Sequence, residues 1–345
     1  MGRIYLDFNA TMPLRAEARE AMIAAMDVAG NPSSVHAEGR VAKALVEKAR
    51  AQVARAFGAE GADVVFVSSA TEAAALALAG RNLRGAAIEH DAVYSHIRDV
   101  LAVDRDGRVA VEGGDVTLQL ANSETGVLQE VAGVAVCDAT QAFGKVPVSF
   151  NWLGCEMALI SAHKLGGPKG VGALVLKRGT DVAAQLTGGG QEMGRRAGTE
   201  NVIGIAGFGA AAEAAVADLD RGVWDGIAAM RDGLEARIRS EVPDVLVPGA
   251  GVARLPNTLS LVTPGWKGET QVMQMDLKGV AISAGSACSS GKVKESRVLR
   301  AMGYDATEAS SAIRVSLGPT TTQDEIDSFA TAWLDAWKRH RARAA

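Results

Sequence analysis

The chain has 345 residues, of which 48% are hydrophobic and 22% are charged, so it has enough apolar side chain for a large core and too much for a disordered protein. The formal net charge of −4 gives no general basic field, which argues against nucleic acid as the main partner. No apolar run reaches membrane-spanning length, so we expect no membrane contact. The first residues enter a strand without an export signal, so we expect a cytoplasmic protein. Three cysteines cannot all pair with one another, and in the cytosol we expect them to be reduced.

The first long predicted element is a helix over residues 35–57. Its apolar residues recur at every fourth position, and Gly58 marks its end. The stripe that we expect to face the core consists of Val41, Leu45, Ala49, Val53 and Phe57.

A short apolar strand over residues 64–67 runs directly into an alanine-rich helix. The helix dipole and the free N–H groups of the first turn favour an anion at that point, and the hydroxyls of Ser69 and Thr71 add donors. Ser69 and Glu72 also have the spacing of a helix-capping box. A phosphate-binding turn and a capping box are compatible, so the pattern leaves both interpretations open.

Two further strand-like runs end in reactive side chains. Residues 134–138 end at Asp138, with Gln141 just beyond, and residues 156–161 lead to Lys164 and a glycine-rich turn. Because α/β proteins bind ligands at strand ends, we expect both to face one pocket. Such a lysine can form a Schiff base with pyridoxal phosphate, and an acidic partner keeps the ring nitrogen protonated. The alternative for Lys164 is an ordinary surface lysine in a turn.

The connection between two of the predicted strands is unusually short. Only seven residues separate Gly126 from Val134, too few for a helical crossover between parallel strands. We expect this region to lack a helix or to rearrange the local strand order. Beyond the sheet, a long helical stretch is predicted from Ile203 to about Val242, and it leads into a smaller C-terminal portion.

A cysteine in the C-terminal portion has unusual neighbours. Cys288 lies in a run of glycine, serine and alanine, which implies mobility and access, and Lys292 and Lys294 follow it. Nearby cations favour the thiolate, which is the form that attacks sulfur. A lone cysteine is more often a packing residue, and we interpret Cys137 and Cys155, beside apolar runs, in that way.

The five histidines have no spacing that builds a zinc site, so we expect no metal. Arg314 follows a strand-like run in the C-terminal portion. Its planar fork suits the carboxylate of an amino acid, and the alternative is a surface ion pair.

In chain order, these runs resemble the motifs of the pyridoxal-phosphate-dependent cysteine desulfurases within the class V aminotransferases. The motifs are Tyr5-Leu-Asp-Phe-Asn-Ala-Thr-Met-Pro13, Gly30-Asn-Pro-Ser-Ser-Val-His36, Ala70-Thr-Glu72, Glu89-His90, Asp138-Ala-Thr-Gln141, Ser161-Ala-His-Lys164, Gly188-Gly-Gly-Gln191 with Arg196-Ala-Gly-Thr-Glu-Asn201, Ser286-Ala-Cys288 and Ile313-Arg-Val-Ser-Leu-Gly318. The resemblance implies an α/β protein of fold-type I. It would have a mostly parallel sheet in a large domain over residues 15–215 and a smaller α+β domain formed by residues 1–14 and 216–345.

The resemblance also implies a role for individual side chains. His90 would stack on the pyridine ring and relay protons, and His163 would lie on the phosphate side. The family's usual second asparagine is replaced by Ser123, so the contact to the cofactor's phenolic oxygen would fall to Gln141 or to a water held by Ser123. The expected cofactor-binding residues are Ala70, Thr71, His90, Ser123, Asp138, Gln141, Ser161, His163, Lys164 and Thr199, and the expected substrate-binding residues are Asn9, Asn31, His36 and Arg314.

The implied reaction converts L-cysteine to L-alanine, with Lys164, Cys288 and His90 as catalytic residues. Sulfur would pass as a persulfide on Cys288 to an acceptor, for which we expect an iron–sulfur scaffold protein or another sulfur carrier. The resemblance further implies a homodimer in which Thr199 reaches the neighbouring subunit's phosphate. Two alternatives stay open: another class V enzyme, such as an aminotransferase or a selenocysteine lyase, and a catalytically silent protein that binds a partner.

Overall fold

The computed structural model describes residues 2–97, 100–285 and 295–344. The strands are β1 (Ile4–Tyr5), β2 (Asp63–Val67), β3 (Gly85–Ala86), β4 (Val100–Leu101), β5 (Thr117–Gln119), β6 (Val136–Asp138), β7 (Met157–Ser161), β8 (Gly172–Leu176), β9 (Thr258–Val262), β10 (Val280–Ala281), β11 (Ser283–Ala284) and β12 (Ala312–Ser316). The helices are α1 (Ala16–Met26), α2 (Ala37–Ala56), α3 (Ala70–Leu78), α4 (Asp91–Tyr94), α5 (Phe150–Leu153), α6 (Val202–Asp220), α7 (Val223–Glu241), α8 (Gly268–Asp276), α9 (Arg297–Ala301), α10 (Ala306–Ser310) and α11 (Gln323–Ala344).

The central sheet has the order β2-β8-β7-β6-β5. Strands β5, β6 and β7 are parallel, whereas β8 runs antiparallel to both of its neighbours. Asp138 pairs in register with Gln119 on one side and Leu159 on the other, so the carboxyl ends of β5, β6 and β7 lie along one edge. Ligands bind at this edge in open α/β sheets.

Both faces of the sheet are covered by helices because its strands are apolar on both sides. Along β2, Val64 and Phe66 pack in one core cluster with α2 and α6, whereas Val65 and Val67 pack in another with α3. This alternation follows from the two-residue repeat of a strand.

The C-terminal portion has its own antiparallel sheet, with the order β11-β12-β9. It packs with α7 and α11 around a separate cluster that contains Trp266 and Trp333. The N-terminal strand β1 pairs with β10, and Asp7 bridges to Ser316. The boundaries at residues 15 and 216 stay predictions.

The apolar stripe expected on α2 is partly wrong. Val41 is 52% exposed, and the residues that the helix buries are Gly39, Ala42, Val46, Ala49 and Val53. A strict four-residue spacing rotates by about 40° per step around an α-helix, so it leaves the buried face within a few turns.

The predicted long helix also divides into two. Helix α6 ends at Asp220, and α7 begins at Val223 after Gly222, which has a φ of +69°. Glycine adopts this left-handed conformation without steric cost, so it ends α6 and turns the chain.

The connection from β5 to β6 contains no helix. Residues 120–135 make an antiparallel bridge between Ala121 and Leu128 and then enter β6, which stays parallel to β5. Of the two expected outcomes, the lack of a helix is therefore confirmed, and β5 and β6 stay parallel neighbours beside the site.

The prediction that no apolar run reaches membrane-spanning length is wrong for α6. By length and composition this helix could cross a membrane, since an 18-residue stretch of it has a mean hydropathy of 1.6, but half of that stretch is buried inside the protein. Phe208 and Ala211 of α6 belong to the main core cluster, so its apolar character is that of a core helix.

Candidate active site

A cavity of about 270 Å³ lies at the carboxyl ends of β5, β6 and β7. It brings together most of the side chains that the sequence singled out. These are Asn9, Ala70, Thr71, His90, Ser123, Asp138, Gln141, Ser161, His163, Lys164 and Arg314.

Lys164 lies in a short 3-10 turn directly after β7. Its Nζ donates to the backbone oxygen of Asn9 at 2.7 Å and to that of Ala10 at 2.9 Å. The side chain is partly buried, and it faces the cavity rather than open solvent. The alternative of an ordinary surface lysine is therefore disfavoured.

Asp138 is the last residue of β6 and is 9% exposed. Its Oδ1 accepts a hydrogen bond from the backbone N–H of Thr140 at 2.9 Å, which fixes the carboxylate at the strand end. The hydroxyls of Thr140 and Ser161 are buried at the same cavity and have no hydrogen-bond partner among the described residues. Buried polar groups are rarely left unpaired, so these two hydroxyls indicate a place for a polar ligand.

The start of α3 has the Ser69 N-cap that the sequence indicated, but it lacks the reciprocal bond of a full capping box, because Glu72 accepts from Ser68 and not from the N-cap residue. Ser69 Oγ accepts from the backbone N–H of Glu72, while Glu72 Oε2 accepts from the backbone N–H of Ser68 at 2.7 Å. Ala70 and Thr71, in the first turn, line the cavity. The cap and an anion site at this helix N-terminus are compatible, since a helix start has several N–H groups without an internal partner.

The two cavity histidines are held differently. His90 is the N-cap of α4, where its Nδ1 accepts from the backbone N–H of Ala92 at 3.1 Å. His163 Nδ1 lies 3.2 Å from the hydroxyl of Thr11. Burial, together with the positive charge of Lys164, lowers the pKa of His163 to about 4. His163 is therefore a neutral imidazole at neutral pH.

Arg314 reaches the cavity from β12 in the C-terminal portion. Its Nη2 donates to Asp7 at 2.8 Å and its Nη1 to the backbone oxygen of Ser123 at 3.0 Å. Its Nε is buried with no partner among the described residues. The guanidinium is thus fixed in place and keeps a donor unused.

Gln141 and Asn9 form a polar network with a residue that the sequence reasoning missed. Gln141 Nε2 donates to the backbone oxygen of Asn9 at 2.9 Å, and Gln141 Oε1 accepts from Lys145 Nζ at 2.6 Å. Lys145 is 1% exposed. The spacing of four residues between Gln141 and Lys145, one helical turn, was the available signal.

Two carboxyl groups near the cavity received no role from the sequence: Glu89, which is buried, and Glu124, which is half-buried. Glu89 is 1% exposed and accepts from the backbone N–H of Gln119, and burial raises its pKa well above the usual value. Burial also raises the pKa of Glu124 to about 7, even though Ser296 Oγ donates to it at 2.5 Å. Each follows or precedes a residue that was singled out, but nothing in the sequence indicates its burial.

Three predicted residues lie outside this cavity. Asn31 and His36 are exposed, and they accept hydrogen bonds from the backbone N–H groups of Ser33 and Gly39, respectively. Thr199 is also exposed. Cys288 lies outside the described residues. Within the ranges that the structure covers, no cluster of three histidine, cysteine or carboxylate side chains is arranged to hold a metal ion.

The chain matches the family model described as aminotransferase class-V over residues 4–97 and 114–329. It is 36% identical to the cysteine desulfurase IscS of Dictyoglomus turgidum, with 94% of this chain and 92% of that protein aligned. It is 41% identical to a cysteine desulfurase of Frankia, with 95% of this chain and 89% of that protein aligned.

Solved structures give a consistent result. A NifS-like protein from Rickettsia africae superposes with a TM-score of 0.89 at 33% identity, and the match covers 97% of this chain and 99% of that one. Another NifS-like protein superposes with a TM-score of 0.88 at 31% identity over the same fractions. The matched family segments omit residues 98–113, which precede β5 in the sequence.

Proposed function

The chain belongs to the class-V aminotransferase family, as its motifs predicted, and from this premise we propose that it is a cysteine desulfurase that works with pyridoxal 5'-phosphate. The observation that carries the proposal is the meeting of Lys164 and Asp138 in one cavity with the N-terminus of α3. The predicted fold-type I architecture, with a mostly parallel central sheet, is confirmed by the same similarity and by the strand order.

The residues of the cavity fit this cofactor. Lys164 offers an amine for an aldehyde, and Asp138 offers a carboxylate for a pyridine nitrogen. The first turn of α3 and the unpaired hydroxyl of Ser161 offer donors for a phosphate. When bound, pyridoxal phosphate supplies an electron sink that stabilises negative charge at the substrate Cα.

The protein's own groups bind the substrate and move its proton. Arg314, fixed by Asp7 and by the backbone of Ser123, holds the substrate carboxylate. Lys164 accepts the proton from Cα once its amine has left the backbone oxygens of residues 9–10. His163, being neutral, adds a hydrogen bond beside Lys164 without adding a second positive charge.

Cys288 takes the sulfur in this proposal, in keeping with the cysteine desulfurases that the chain resembles. Its thiolate attacks the substrate sulfur, the substrate C–S bond breaks, and Cβ keeps the electron pair and gains a proton. The products are L-alanine and a persulfide on Cys288, so atoms and electrons balance without an added oxidant or reductant. The persulfide sulfur then passes to an acceptor, for which an iron–sulfur scaffold protein is proposed.

Purified protein loaded with pyridoxal phosphate tests the proposal directly. L-cysteine should yield L-alanine without an added keto acid, and mass spectrometry should find Cys288 heavier by one sulfur atom. Lys164→Ala should lose the visible absorbance of the loaded protein together with alanine formation. Cys288→Ser should keep the absorbance and lose sulfur transfer.

Other results would replace the proposal. Alanine that forms only with a keto acid would identify an aminotransferase, and turnover of selenocysteine alone would identify a selenocysteine lyase. Undiminished sulfur transfer by Cys288→Ser would remove the nucleophile assignment. Absence of any turnover in the wild type would leave the alternative of a catalytically silent protein that binds a partner. The register between Gln119 and Asp138, which is kept beside the short connection, argues against that alternative.

The assembly and location are also proposals. Thr199 is exposed and lies outside its own cavity, as expected of a side chain that serves the phosphate site of a partner subunit. We propose a cytoplasmic homodimer on this basis and on the family resemblance. A fully active monomer in sedimentation analysis would contradict the shared site.

A further inference from the structure

Lys145 is a buried amine whose recorded partners among the described residues are uncharged. Its side chain is 1% exposed, and its Nζ donates to two amide oxygens and makes no ion pair within the described ranges. Removing an ammonium group from water costs several kcal/mol unless an ion pair offsets it. An apolar side chain would fill the same space without this cost, so the presence of the amine needs an explanation.

Lys145 contacts two residues that line the cavity. Its Nζ donates to Gln141 Oε1 at 2.6 Å and to Asn9 Oδ1 at 3.2 Å. Gln141 and Asn9 both line the cavity, and the backbone oxygen of Asn9 accepts from Gln141 Nε2 at 2.9 Å and from Lys164 Nζ at 2.7 Å. A continuous set of hydrogen bonds therefore runs from one lysine to the other.

These contacts decide which way the two side-chain amides point. A lysine amine in this arrangement offers hydrogens, so it binds the oxygen of each amide and not the nitrogen. Gln141 then has its nitrogen on the side of the Asn9 backbone. Asn9 has its nitrogen toward Thr258, at 2.8 Å, and its oxygen is shared with Asn257.

We propose that Lys145 is a positioning residue of the cofactor cavity, which orients the amide donor of Gln141 and holds the backbone at Asn9 against which Lys164 rests. The inference rests on the proposed function, because the cavity that it serves is the proposed cofactor site. It adds a residue that contacts neither cofactor nor substrate and acts through Gln141 and Asn9.

The electrostatic surroundings agree with this role. Burial, and to a lesser degree the positive charges of Lys164 and Arg314, lower the pKa of Lys145 well below its usual value. Lys145 in turn contributes to the lowered pKa of His163. The positioning role survives a loss of the proton, because a neutral amine still has two hydrogens for the two amide oxygens.

The test compares Lys145→Met, which keeps length and removes the donors, with Lys177→Met, which removes an exposed lysine just after the far end of β8. Binding of pyridoxal phosphate to the apoprotein is followed by absorbance. Lys145→Met should bind about tenfold more weakly, the effect of one oriented hydrogen bond to a polar group, whereas Lys177→Met should match the wild type.

A double-mutant cycle separates positioning from general damage. In a Gln141→Leu background, Lys145→Met should weaken cofactor binding by clearly less than tenfold, because Gln141, one of the two groups through which Lys145 acts, is gone and only the contact to Asn9 is left. Equal losses in both backgrounds, or a loss of thermal stability with wild-type cofactor affinity, would overturn the proposal. If Lys145→Met does not fold, Lys145→Leu, which also removes the donors, is measured in its place with the same outcomes.

A crystal structure of the apoprotein Lys145→Met gives a readout that does not need the cofactor. The Gln141 amide should be rotated or occupy two conformers, and an amide left in its wild-type position would overturn the proposal. Failure of the wild type to bind pyridoxal phosphate would count against the proposed function, and the apoprotein structure would still decide the role of Lys145.

Discussion

Replacing Glu124 by glutamine should change how the stability of the protein depends on pH. Glu124 accepts from Ser296 Oγ at 2.5 Å, and the positive charges of Arg314 and Arg297 favour its ionised form. Burial outweighs both effects and raises its pKa from 4.5 to about 7, with Asp91 adding to the rise. Glutamine keeps an oxygen that can accept from Ser296 but cannot ionise.

The sign and size follow from the linkage between proton binding and folding. Because the folded pKa lies above the unfolded one, this contribution to stability is fully present below pH 4.5 and is lost as the pH rises through 7. The full shift corresponds to about 3 kcal/mol, and partial exposure of the side chain reduces the expected change to about 2 kcal/mol. Glu124→Gln should therefore gain stability relative to the wild type as the pH rises.

Urea unfolding of the two apoproteins at pH values from about 5 to about 8 measures this difference. Glu130→Gln is the matched control, since the Glu130 side chain is 92% exposed. Its difference from the wild type should stay nearly constant over the range. A difference between Glu124→Gln and the wild type that is equally independent of pH would refute the burial argument.

Two further predictions concern the cavity wall. The pKa of His163 falls from 6.5 to about 4 on folding, so its contribution to stability is present above pH 6.5 and is lost as the pH falls through 4. Because the side chain is only partly buried, His163→Asn should reduce the loss of stability in acid by about 2 kcal/mol in urea unfolding. The same loss of stability in acid for wild type and variant would contradict the assignment. Gly172→Ala would place a Cβ 2.8 Å from the carbonyl carbon of Ser69 and 2.9 Å from the backbone oxygen of Ile160. The substitution should therefore lower the free energy of unfolding by about 1–3 kcal/mol and weaken the binding of pyridoxal phosphate. A thermal unfolding midpoint and an affinity equal to those of the wild type would show that the backbone accommodates the methyl group.

The polar side chains at the strand ends were predictable because their signals are local. Asp138 and Lys164 each follow an apolar run and precede a turn, and the alternation of a strand fixes where such a run ends. The cap of α3 was predictable for the same reason, since Ser69 and Glu72 are three residues apart. The family resemblance added the identity of the cofactor and of the reaction.

Errors arose where the outcome depends on which neighbours an element meets. Val41 is apolar but exposed, because α2 packs in the core with α6 through other side chains, among them Val46 and Ala49. The break at Gly222 and the loss of a helix between β5 and β6 are choices between local alternatives that packing decides. Sequence spacing alone does not contain that information.

The sequence by itself determined the type of each cavity wall residue, and it placed Asp138, Lys164 and the first turn of α3 at strand and helix ends. Only the tertiary structure decided the charge state and orientation of these groups. Asn9 meets Gln141, Lys145 and Lys164 across more than a hundred residues, and Arg314 meets Asp7 across the length of the chain. Burial by such distant segments removes water from the polar groups, and the loss of water shifts their pKa values and makes each remaining hydrogen bond decisive.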